Sequence, residues 1–479
     1  MRIFFALLFL SGGLAAQSPG GVPGALLWGK PRMQAGPYSW GTDADKACSF
    51  DVGTTLWVNH WPLPADAAQL VGFSWPLAGD AITLFSVYLP ASTNTEEVIY
   101  ALETGNQTTV VLTNRRLARL DPVAYLNLPR DFWRKPRLNT WQQRLPAGED
   151  VRLKLGQVSR ADLPVAKAAG HVAEVIAFPR YLRQQERRQV DTYLALKYGL
   201  ALVQPADYVG AAGERLWSAQ QDSAYAHRIT GLGRSDAAGW YQPQSSFATL
   251  QPTLSIALDR WLPPGTPRDT LLPNDTYLLW GDNNAPWDFQ ADAGPTASGV
   301  SQRHWKIRRT GGPIEVATEV RINPDPWWPE ADSVFLDIDR SGDGTFLAEN
   351  TDVYAALEQP NKGQWTFFGV TWDPDRSGED ICRLRLSGDW PQQAQGWSFD
   401  VFPNPFSAGS AIQVAWRSDT PPDAPLSITL FDAGGRQVAQ KTYVGTAEVQ
   451  EAWRVAQPGL YWIVARSGSW IKTRKVLAQ

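Results

Sequence analysis

The sequence predicts a mainly β protein that is assembled from β-sandwiches. Short apolar runs alternate with turn residues over most of the 479 residues, which include 40 Gly and 36 Pro. The chain is also rich in aromatic residues, with 23 Trp, 18 Phe and 14 Tyr. Aromatic side chains favour strands, and Gly and Pro mark the turns between them.

Apolar runs of strand length recur in both halves of the chain. Four of them predict buried strands in the first half, at 82–89, 98–102, 108–112 and 171–178. Four more predict strands in the second half, at 253–258, 276–282, 305–309 and 316–322. Because the runs are short and bounded by turn residues, the pattern is typical of sandwiches.

One amphipathic helix is predicted, from about residue 184 to residue 198. Its apolar residues with helical spacing are Val190, Tyr193 and Leu194. They would form one buried face, while Gly199 supplies the left-handed residue that commonly ends a helix. Arg183 is a poor N-cap, so the sequence leaves the start of the helix uncertain.

Residues 1–16 have the pattern of a secretory signal peptide. Arg2 carries a positive charge, Ile3–Leu10 is apolar, and small residues precede a predicted cut after Ala16. The apolar stretch is too short to span a bilayer, which takes roughly 20 residues. No later segment is long and apolar enough to span a membrane. The sequence therefore predicts export.

Length and charge limit the remaining function classes. The chain is long enough for about three domains. Its formal net charge is −4, with 48 acidic and 44 basic residues and no long charge runs. Electrostatics alone therefore suggest neither a nucleic acid nor an anionic membrane surface as a partner.

Two cysteines, Cys48 and Cys382, lie far apart in the sequence. An oxidising compartment permits a disulfide between them, which would tie an early domain to a later one. The alternative is two separate buried thiols, because sequence alone does not fix the distance between them. They have no nearby His, so they do not predict a zinc site.

The last 80 or so residues predict a small sandwich of about seven strands that carries three spaced motifs. This tail, 397–479, resembles the C-terminal sorting domain of the type IX secretion system, in its type A form. The residues that carry the resemblance are Pro403, Asn404, Pro405, Gly435, Arg436, Gly459, Tyr461, Lys472 and Lys475. The resemblance implies recognition by the outer-membrane translocon and sorting machinery and usual removal of the tail. Seven or so short strands in this length fit an immunoglobulin-like sandwich.

Two further resemblances divide the chain before the tail. Residues 173–199 are similar to the closing strand and helix of concanavalin A-like domains of the LamG and pentraxin type, which implies such a domain over 17–204. Its first hundred residues match less well. The segments 228–234, 277–283 and 305–306 resemble an uncharacterised β-rich module over 205–390. That module has no activity to carry over.

The best metal candidate follows a predicted strand. Its oxygen-bearing residues are Asp337, Asp339, Ser341, Asp343 and Thr345. Alternating oxygens with Gly344 between them are typical of calcium loops. An EF-hand loop counted from Asp339 would need Glu at position 350, where this chain has Asn. The alternative is the tip of a Gly-Asp hairpin, so calcium is predicted here without a complete ligand set.

Searches for catalytic motifs give no site. The chain has no Glu-x-Asp-x-x-Glu strand of concanavalin-like glucanases, no His-Glu-x-x-His and no Gly-x-Ser-x-Gly. Several Trp residues occur in turn-rich contexts, where they could stack on sugar rings. They are Trp57, Trp61, Trp75, Trp327 and Trp328. For any one of them a place in the core is the more common role.

Together these patterns predict a non-catalytic exported protein, on the cell surface or secreted, that functions in adhesion or glycan binding. Extracellular glycans or surface proteins are the expected partners, besides the secretion machinery. Two alternatives stay open at this point. One is a surface polysaccharide hydrolase of concanavalin-like fold, and the other is a structural cell-envelope protein.

Overall fold

A computed structural model gives the fold of most of the chain. The residues that it describes are 17–32, 39–41, 48–49, 56–58, 61–63, 73–76, 80–90, 95–105, 107–120, 123–128, 135–145, 150–156, 171–248, 254–263, 266, 268, 271–291, 298–314, 316–322, 333–359, 364–387, 398–418, 424–432, 437–467 and 470–479. The predicted signal peptide, residues 1–16, lies outside them.

The first unit is built from short antiparallel strands. They are β1 (Leu27–Arg32), β2 (Ser39–Gly41), β3 (Cys48–Ser49), β4 (Leu56–Val58), β5 (Trp61–Leu63), β6 (Phe73–Pro76), β7 (Ala81–Leu89), β8 (Val98–Thr104), β9 (Gln107–Thr113), β10 (Arg116–Leu120), β11 (Val123–Asn127), β12 (Arg137–Arg144), β13 (Asp150–Leu155) and β14 (His171–Phe178). The predicted strands at 82–89, 98–102, 108–112 and 171–178 correspond to β7, β8, β9 and β14.

Twelve of these strands form a sandwich of two six-stranded sheets, and β4 pairs with β5 in a separate two-stranded sheet. One sheet has the order β12-β7-β14-β1-β2-β3 and the other the order β11-β10-β9-β8-β13-β6. Ile82 and Leu84 of the first sheet share an apolar core with Leu102 and Leu153 of the second. Alternation along β7 turns Phe85 to the opposite face, where a second core begins.

Helix α1 (Gln184–Tyr198) covers that opposite face, as the sequence predicts. Gly199 ends the helix with a φ of 62°. The uncertain start has a physical explanation. The Glu186 carboxylate accepts the backbone N–H of Arg183 at 2.8 Å, which is one half of a capping box. A good residue three positions into the helix therefore compensates for the poor N-cap.

A buried carboxylate fixes the helix to the sheet. A bulge between Val172 and Glu174 in β14 shifts the alternation, so that the Glu174 side chain faces the helix. It accepts hydrogen bonds from Trp28 Nε1, Tyr193 Oη and Tyr198 Oη at 2.7–2.9 Å. Lys197 Nζ lies 2.6 Å from Glu174 Oε2, and both side chains are at most 1% exposed.

The second unit follows the helix directly. Its strands are β15 (Tyr208–Val209), β16 (Arg215–Trp217), β17 (His227–Ser235), β18 (Trp240–Gln242), β19 (Gln244–Ser246), β20 (Leu254–Leu258), β21 (Thr276–Asp282), β22 (Phe289–Ala291), β23 (Ser298–Thr310), β24 (Thr318–Ile322), β25 (Ser333–Asp339), β26 (Thr351–Ala355), β27 (Leu357–Gln359), β28 (Gln364–Val370) and β29 (Glu379–Ser387). The predicted strand at 305–309 is the end of the longer β23. Its pairing with β29 continues across a register shift between Val300 and His304.

This unit is also a sandwich. An eight-stranded sheet has the order β18-β17-β21-β23-β29-β25-β26, with β22 paired to β23, and it packs on a five-stranded sheet of order β19-β20-β24-β28-β27. Trp280, Trp305 and Leu384 of the larger sheet meet Ile256 and Val320 of the smaller one in the core. The outer face of the larger sheet contributes Ile229, Tyr277 and Leu279 to the core that surrounds α1.

The C-terminal unit is a seven-stranded sandwich in the described residues. Its strands are β30 (Ser398–Phe402), β31 (Ala411–Arg417), β32 (Leu426–Asp432), β33 (Gln437–Tyr443), β34 (Glu448–Arg454), β35 (Gly459–Ser467) and β36 (Trp470–Ala478). The two sheets have the orders β30-β31-β34 and β33-β32-β35-β36. Trp416, Ile428 and Ile463 lie in the core between them.

The predicted fold class is confirmed, since the chain is mainly β and made of antiparallel sheets packed in sandwiches. Among the described residues, no helix is long and apolar enough to cross a membrane.

Candidate functional site

The sequence motifs of the second unit lie largely on neighbouring strands of its eight-stranded sheet. The segments around Trp217, Arg228, Trp280 and Trp305 lie on β16, β17, β21 and β23, and β17, β21 and β23 are neighbours in this sheet. Helix α1 covers the β17 side of the outer face of this sheet. Beyond the helix, charged side chains form two groups, one on the outer face and one at the end of β21, where the 282–288 loop begins.

The first group consists of two cations and two carboxylates. Asp222 Oδ1 lies 2.7 Å from Lys306 Nζ, and Asp222 Oδ2 lies 2.8 Å from Arg308. Glu379 reaches the same two cations, with its Oε2 2.7 Å from Lys306 Nζ. The Asp222 side chain is fully buried, whereas that of Glu379 is 34% exposed. This group therefore opens to solvent on the Glu379 side.

Glycine allows the Asp222 segment to pack this closely on the sheet. A Cβ atom at Gly281 would lie 2.3 Å from the carbonyl oxygen of Tyr225 and 3.2 Å from the Trp217 ring. Neither neighbour can move without disturbing the turn that carries Asp222. A backbone approach of this kind requires Gly at position 281.

The second group surrounds the loop 282–288, which follows β21. Arg228 donates to both carboxylate oxygens of Asp282, with Nε 2.6 Å from Oδ2, and its Nη2 donates to Asn284 Oδ1 at 3.0 Å. Asn283 Oδ1 accepts the backbone N–H groups of Ala285 and His304 at 3.1 and 3.2 Å. The loop is thus held by side chains from its own sequence and from β17.

Arg303 of β23 lies under this loop. Its Nε and Nη2 both donate to the carbonyl oxygen of Ala285, at 2.8 and 2.5 Å. Its guanidinium carbon lies 4.5 Å from the centroid of the Trp287 ring, a cation–π contact. Burial and the neighbouring Arg228 charge lower the pKa of Arg303 to about 10.

The predicted calcium loop connects β25 to β26 in a hairpin. Asp339 is fully buried, and its carboxylate accepts the Ser341 N–H and Oγ–H at 3.0 and 2.6 Å and the Gly344 N–H at 2.7 Å. Asp343 accepts the N–H and Oγ1–H of Thr345 at 2.8 and 2.7 Å. The Thr345 hydroxyl bond holds the pKa of Asp343 below its ordinary value.

Asp337, the remaining candidate ligand, lies on β25 and binds arginine instead. Arg385 Nε is 2.8 Å from Asp337 Oδ2, and Arg383 Nε is 3.5 Å from it. The side-chain oxygens of the loop thus already have hydrogen-bond or ionic partners. In the part of the chain that is described, no three His, Cys, Asp or Glu side chains are arranged to hold a metal ion. Calcium binding stays a prediction.

The two cysteines differ in what the structure describes. Cys382 is a free thiol with no exposed surface, paired with Trp305 and Ile338 in the register of β29. The predicted bridge is therefore not formed in this structure, because Cys382 lies inside the sandwich core. Cys48 lies in β3, and its side chain is outside the described residues. Burial raises the pKa of the Cys382 thiol far above its ordinary range.

The tail residues that carry the sorting resemblance meet on the last strand. Asn404 Nδ2 donates to the carbonyl oxygen of Lys475 at 2.7 Å, and Asn404 Oδ1 accepts the Leu477 N–H at 3.0 Å. Phe406 continues this pairing through backbone hydrogen bonds with Leu477 and Gln479. The segment 403–406, which includes Pro403 and Pro405, therefore covers the outer edge of β36.

The other motif residues of the tail have separate places. Tyr461 donates its hydroxyl to the carbonyl oxygen of Gln457 at 2.9 Å and so closes the turn that contains Gly459. Lys472 lies on β36 opposite Ala465, and its side chain is not described. Gly435 and Arg436 lie outside the described residues, as do Trp327 and Trp328 and the side chains of Trp57, Trp61 and Trp75.

Sequence reasoning missed several charged residues of this site. Asp222, Glu379 and Arg303 stand alone in the sequence, without a partner at a recognisable spacing. The signal that could have found them is the charge of β23, where Arg303, Lys306 and Arg308 lie close to Trp305. A strand that carries charges on a wide sheet face needs counter-charges from distant elements.

Comparison with known proteins adds a family match without an activity. Residues 186–376 match a family model described as "Domain of unknown function (DUF8202)". The match covers α1 from its third residue and most of the second unit. No curated protein matches the chain.

Two solved structures share low similarity with the chain. One is the glycoside hydrolase domain of Endo-D from Streptococcus pneumoniae R6, 11% identical, with 41% of this chain and 37% of that chain covered and a TM-score of 0.13. The other is the BSP domain of a biofilm associated protein, 8% identical, with 91% of this chain and 84% of that chain covered and a TM-score of 0.14. The chain spans 37% of the length of the first. At such TM-scores neither likeness carries an argument.

Proposed function

We propose that this protein is exported by the type IX secretion system and acts outside the cell as a non-catalytic binding protein, in adhesion or in glycan binding. The observation that carries the export part is the contact of Asn404 with the last strand. Two tail motifs far apart in the sequence, Pro403-Asn404-Pro405 and Lys472–Leu477, form one edge of the C-terminal sandwich through this side chain. The sorting machinery would contact both motifs as one surface.

The charged outer face of the second unit supports a binding function over catalysis. A glycosidase needs two carboxyl groups across a cleft, one of them protonated and one ionised. On this face Asp222, Glu379 and Asp337 are each paired with arginine or lysine. Their oxygens are therefore already engaged by cations of this chain.

Export is tested in a bacterium with a working type IX system. We expect the wild-type chain on the surface or in the medium, lacking residues 1–16 and the tail when its intact mass is measured. Asn404→Ala removes both hydrogen bonds to the last strand and is expected to lower the exported amount several-fold. Gln440→Ala, which removes an exposed amide from β33, is the matched control. Unchanged export of Asn404→Ala would count against the role of this edge.

Binding and catalysis are separated with the mature protein recovered from the surface. We expect retention of specific glycans on an array and no release of reducing sugar from the same glycans. Release of reducing sugar would favour the alternative of a polysaccharide hydrolase. Absence of both retention and release, and of binding to host or bacterial surface proteins, would leave a structural envelope protein and contradict the proposed function.

A further inference from the structure

Strand β11 forms one edge of the first sandwich. It lies at the end of the sheet order β11-β10-β9-β8-β13-β6, and among the described residues no strand pairs with its outer side. Every β11 residue whose side chain is described is exposed, from Ala124 to Asn127. Tyr125 is 51% exposed and Leu126 is 62% exposed. Because successive side chains of a strand point to opposite faces, this edge is open on both faces.

The strand carries none of the features that usually keep edges from pairing. Charged side chains, proline and β-bulges are the common protections. Residues 123–127 read Val-Ala-Tyr-Leu-Asn, so they include neither a charge nor a proline. Their pairing with β10 runs over five consecutive residue pairs without a register shift, so β11 has no bulge. The outer N–H and C=O groups of this edge therefore stand in a regular row with which another strand can pair.

The C-terminal sandwich shows how this chain protects other edges. The segment 403–406 covers the edge of β36. At the opposite edge of that sheet, the register between β32 and β33 shifts between Leu430 and Phe431. The same edge strand β33 carries Lys441, which is paired with Glu451 of β34. In contrast to these two edges, β11 is regular, uncovered and uncharged.

The sequence of β11 is complementary to itself in an antiparallel pair. With a two-fold axis at Tyr125, this residue lies opposite its equivalent in the other copy. Ala124 then lies opposite Leu126, so the small side chain leaves room for the large one. On the other face Val123 lies opposite Asn127, beside the two aromatic rings. Aromatic pairs across strands stabilise sheets, and no like charges meet because the strand has none.

Contacts within the chain already order the Tyr125 ring. The guanidinium carbon of Arg116, on β10, lies 5.2 Å from the centroid of this ring. Glu96 Oε1 accepts a hydrogen bond from Arg116 Nε at 2.7 Å and fixes the guanidinium group there. A side chain that is ordered before binding loses less conformational freedom when it binds. The residue at the centre of the self-complementary pair is therefore preorganised.

We propose that β11 pairs antiparallel with β11 of a second copy of this chain, about a two-fold axis at Tyr125. The two six-stranded sheets would then continue as one sheet across the axis. A two-fold contact uses the same surface on both copies, so it closes at the dimer. One pair of short strands is a small interface, and we expect a dissociation constant on the order of 10–100 μM. This inference does not depend on the proposed function.

The test is sedimentation velocity of the full chain from about 1 μM to about 500 μM, a range that brackets the expected constant. We expect a reversible equilibrium between monomer and dimer. Tyr125→Lys places two ammonium groups opposite each other and should weaken the dimer by about tenfold or more. Tyr181→Lys, at a residue that is 46% exposed and lies outside the strands, is the matched control and should leave the dimer unchanged.

A mixture of two variants tests the register of the pair. Tyr125→Glu alone should dimerise as poorly as Tyr125→Lys. An equimolar mixture of the two should form a dimer again, because an ammonium and a carboxylate then lie opposite each other. Since Tyr125 is half exposed, both variants should keep the fold, and circular dichroism checks this.

Three results would overturn the proposal. The first is a wild-type chain that stays monomeric at the highest concentration. If that monomer bound an extended peptide of unrelated sequence instead, β11 would serve a different protein. The second is a dimer that Tyr125→Lys leaves unchanged, since the contact would then lie elsewhere. The third is a mixture of the two variants that stays monomeric, because the strands would then not pair about Tyr125.

Discussion

Two buried carboxylates, Glu174 in the first unit and Asp222 in the second, are paired with cations in different ways. Glu174 is enclosed by Trp28, Tyr193, Tyr198 and Lys197, and the Glu174–Lys197 pair is at most 1% exposed. Asp222 is equally buried, but its cations Lys306 and Arg308 are 10% and 21% exposed and are shared with the rim residue Glu379.

This difference in solvent exposure distinguishes a purely structural ion pair from a charged group whose members can exchange partners. In a closed ion pair both charged groups are removed from water, which costs free energy. Removal of one partner then leaves an uncompensated buried charge. An open group exchanges with water and is screened by salt. The first unit therefore uses its charges to dock a helix, and the second unit presents its charges to the outside.

The largest effect is expected from Glu174→Gln. Lys197 would keep its charge in a dry site without a carboxylate, which destabilises a fold by about 3–5 kcal/mol. Urea unfolding followed by tryptophan fluorescence measures this change. Glu186→Gln, at the partly exposed start of α1, is the matched control and should cost less than about 1 kcal/mol.

A double variant sharpens the same point. Adding Lys197→Met to Glu174→Gln removes the unpaired charge and should restore a large part of the lost stability, because neutral replacement of a whole buried pair is often tolerated. If Glu174→Gln alone unfolded as readily as the control, the closed pair would not hold the helix, and the contrast between the two regions would fail.

Asp222→Asn is expected to have the next largest effect. The amide oxygen can still accept the Ser218 N–H, which the carboxylate accepts at 2.9 Å. Lys306 and Arg308 lose one of their two counter-charges but keep Glu379, so the expected loss of unfolding free energy is about 2–3 kcal/mol. Urea unfolding at low salt measures it. A loss as large as that of Glu174→Gln would mean that the Asp222 group is closed to solvent as well.

A pH series tests the closed region independently. Burial raises the pKa of Asp191 on α1 to about 6, against the opposing effects of its 2.5 Å hydrogen bond from Thr140 and of nearby Arg187 and Arg188. The folded state then binds the proton more tightly than the unfolded chain between about pH 4 and pH 6. The stability from this group is complete at low pH and falls by about 3 kcal/mol as the pH rises through that window.

Asp191→Asn removes this dependence. Urea unfolding from pH 4 to pH 7.5 measures the unfolding free energy of the variant and of the wild type. As the pH rises, the variant should become more stable relative to the wild type. Asp150→Asn, at an exposed strand position, is the matched substitution. A flat difference for Asp191→Asn would show that the carboxyl group is solvated.

The smallest effect is expected from Glu379→Gln, which removes the rim carboxylate of the open group. With Asp222 still in place, the cost should be below about 1 kcal/mol. Molar salt should reduce it further, because partly exposed pairs are screened, while the cost of Glu174→Gln should stay unchanged. Unfolding at low and at molar NaCl compares the two. A salt-independent cost for Glu379→Gln would contradict the open character of this group.

Local patterns in the sequence determined the elements of this fold. Period-two apolar runs predicted strands such as β7, β14 and β21, and the 3.6-residue pattern with Gly199 predicted the bounds of α1, because these signals lie within a few residues of each other. The β-sandwich class followed from the same patterns. The sequence left the start of α1 uncertain, since Glu186 compensates for the poor N-cap from three residues away.

Only the tertiary structure decided which charges meet. Glu174 and Lys197 are 23 residues apart, and their contact needs the bulge at Val172 that turns Glu174 towards the helix. Asp222 finds Lys306, Arg308 and Glu379 because sheet order makes β23 and β29 neighbours, and no sequence spacing encodes that order. Electrostatic partners depend on distances of a few ångströms between remote segments, and folding alone sets those distances.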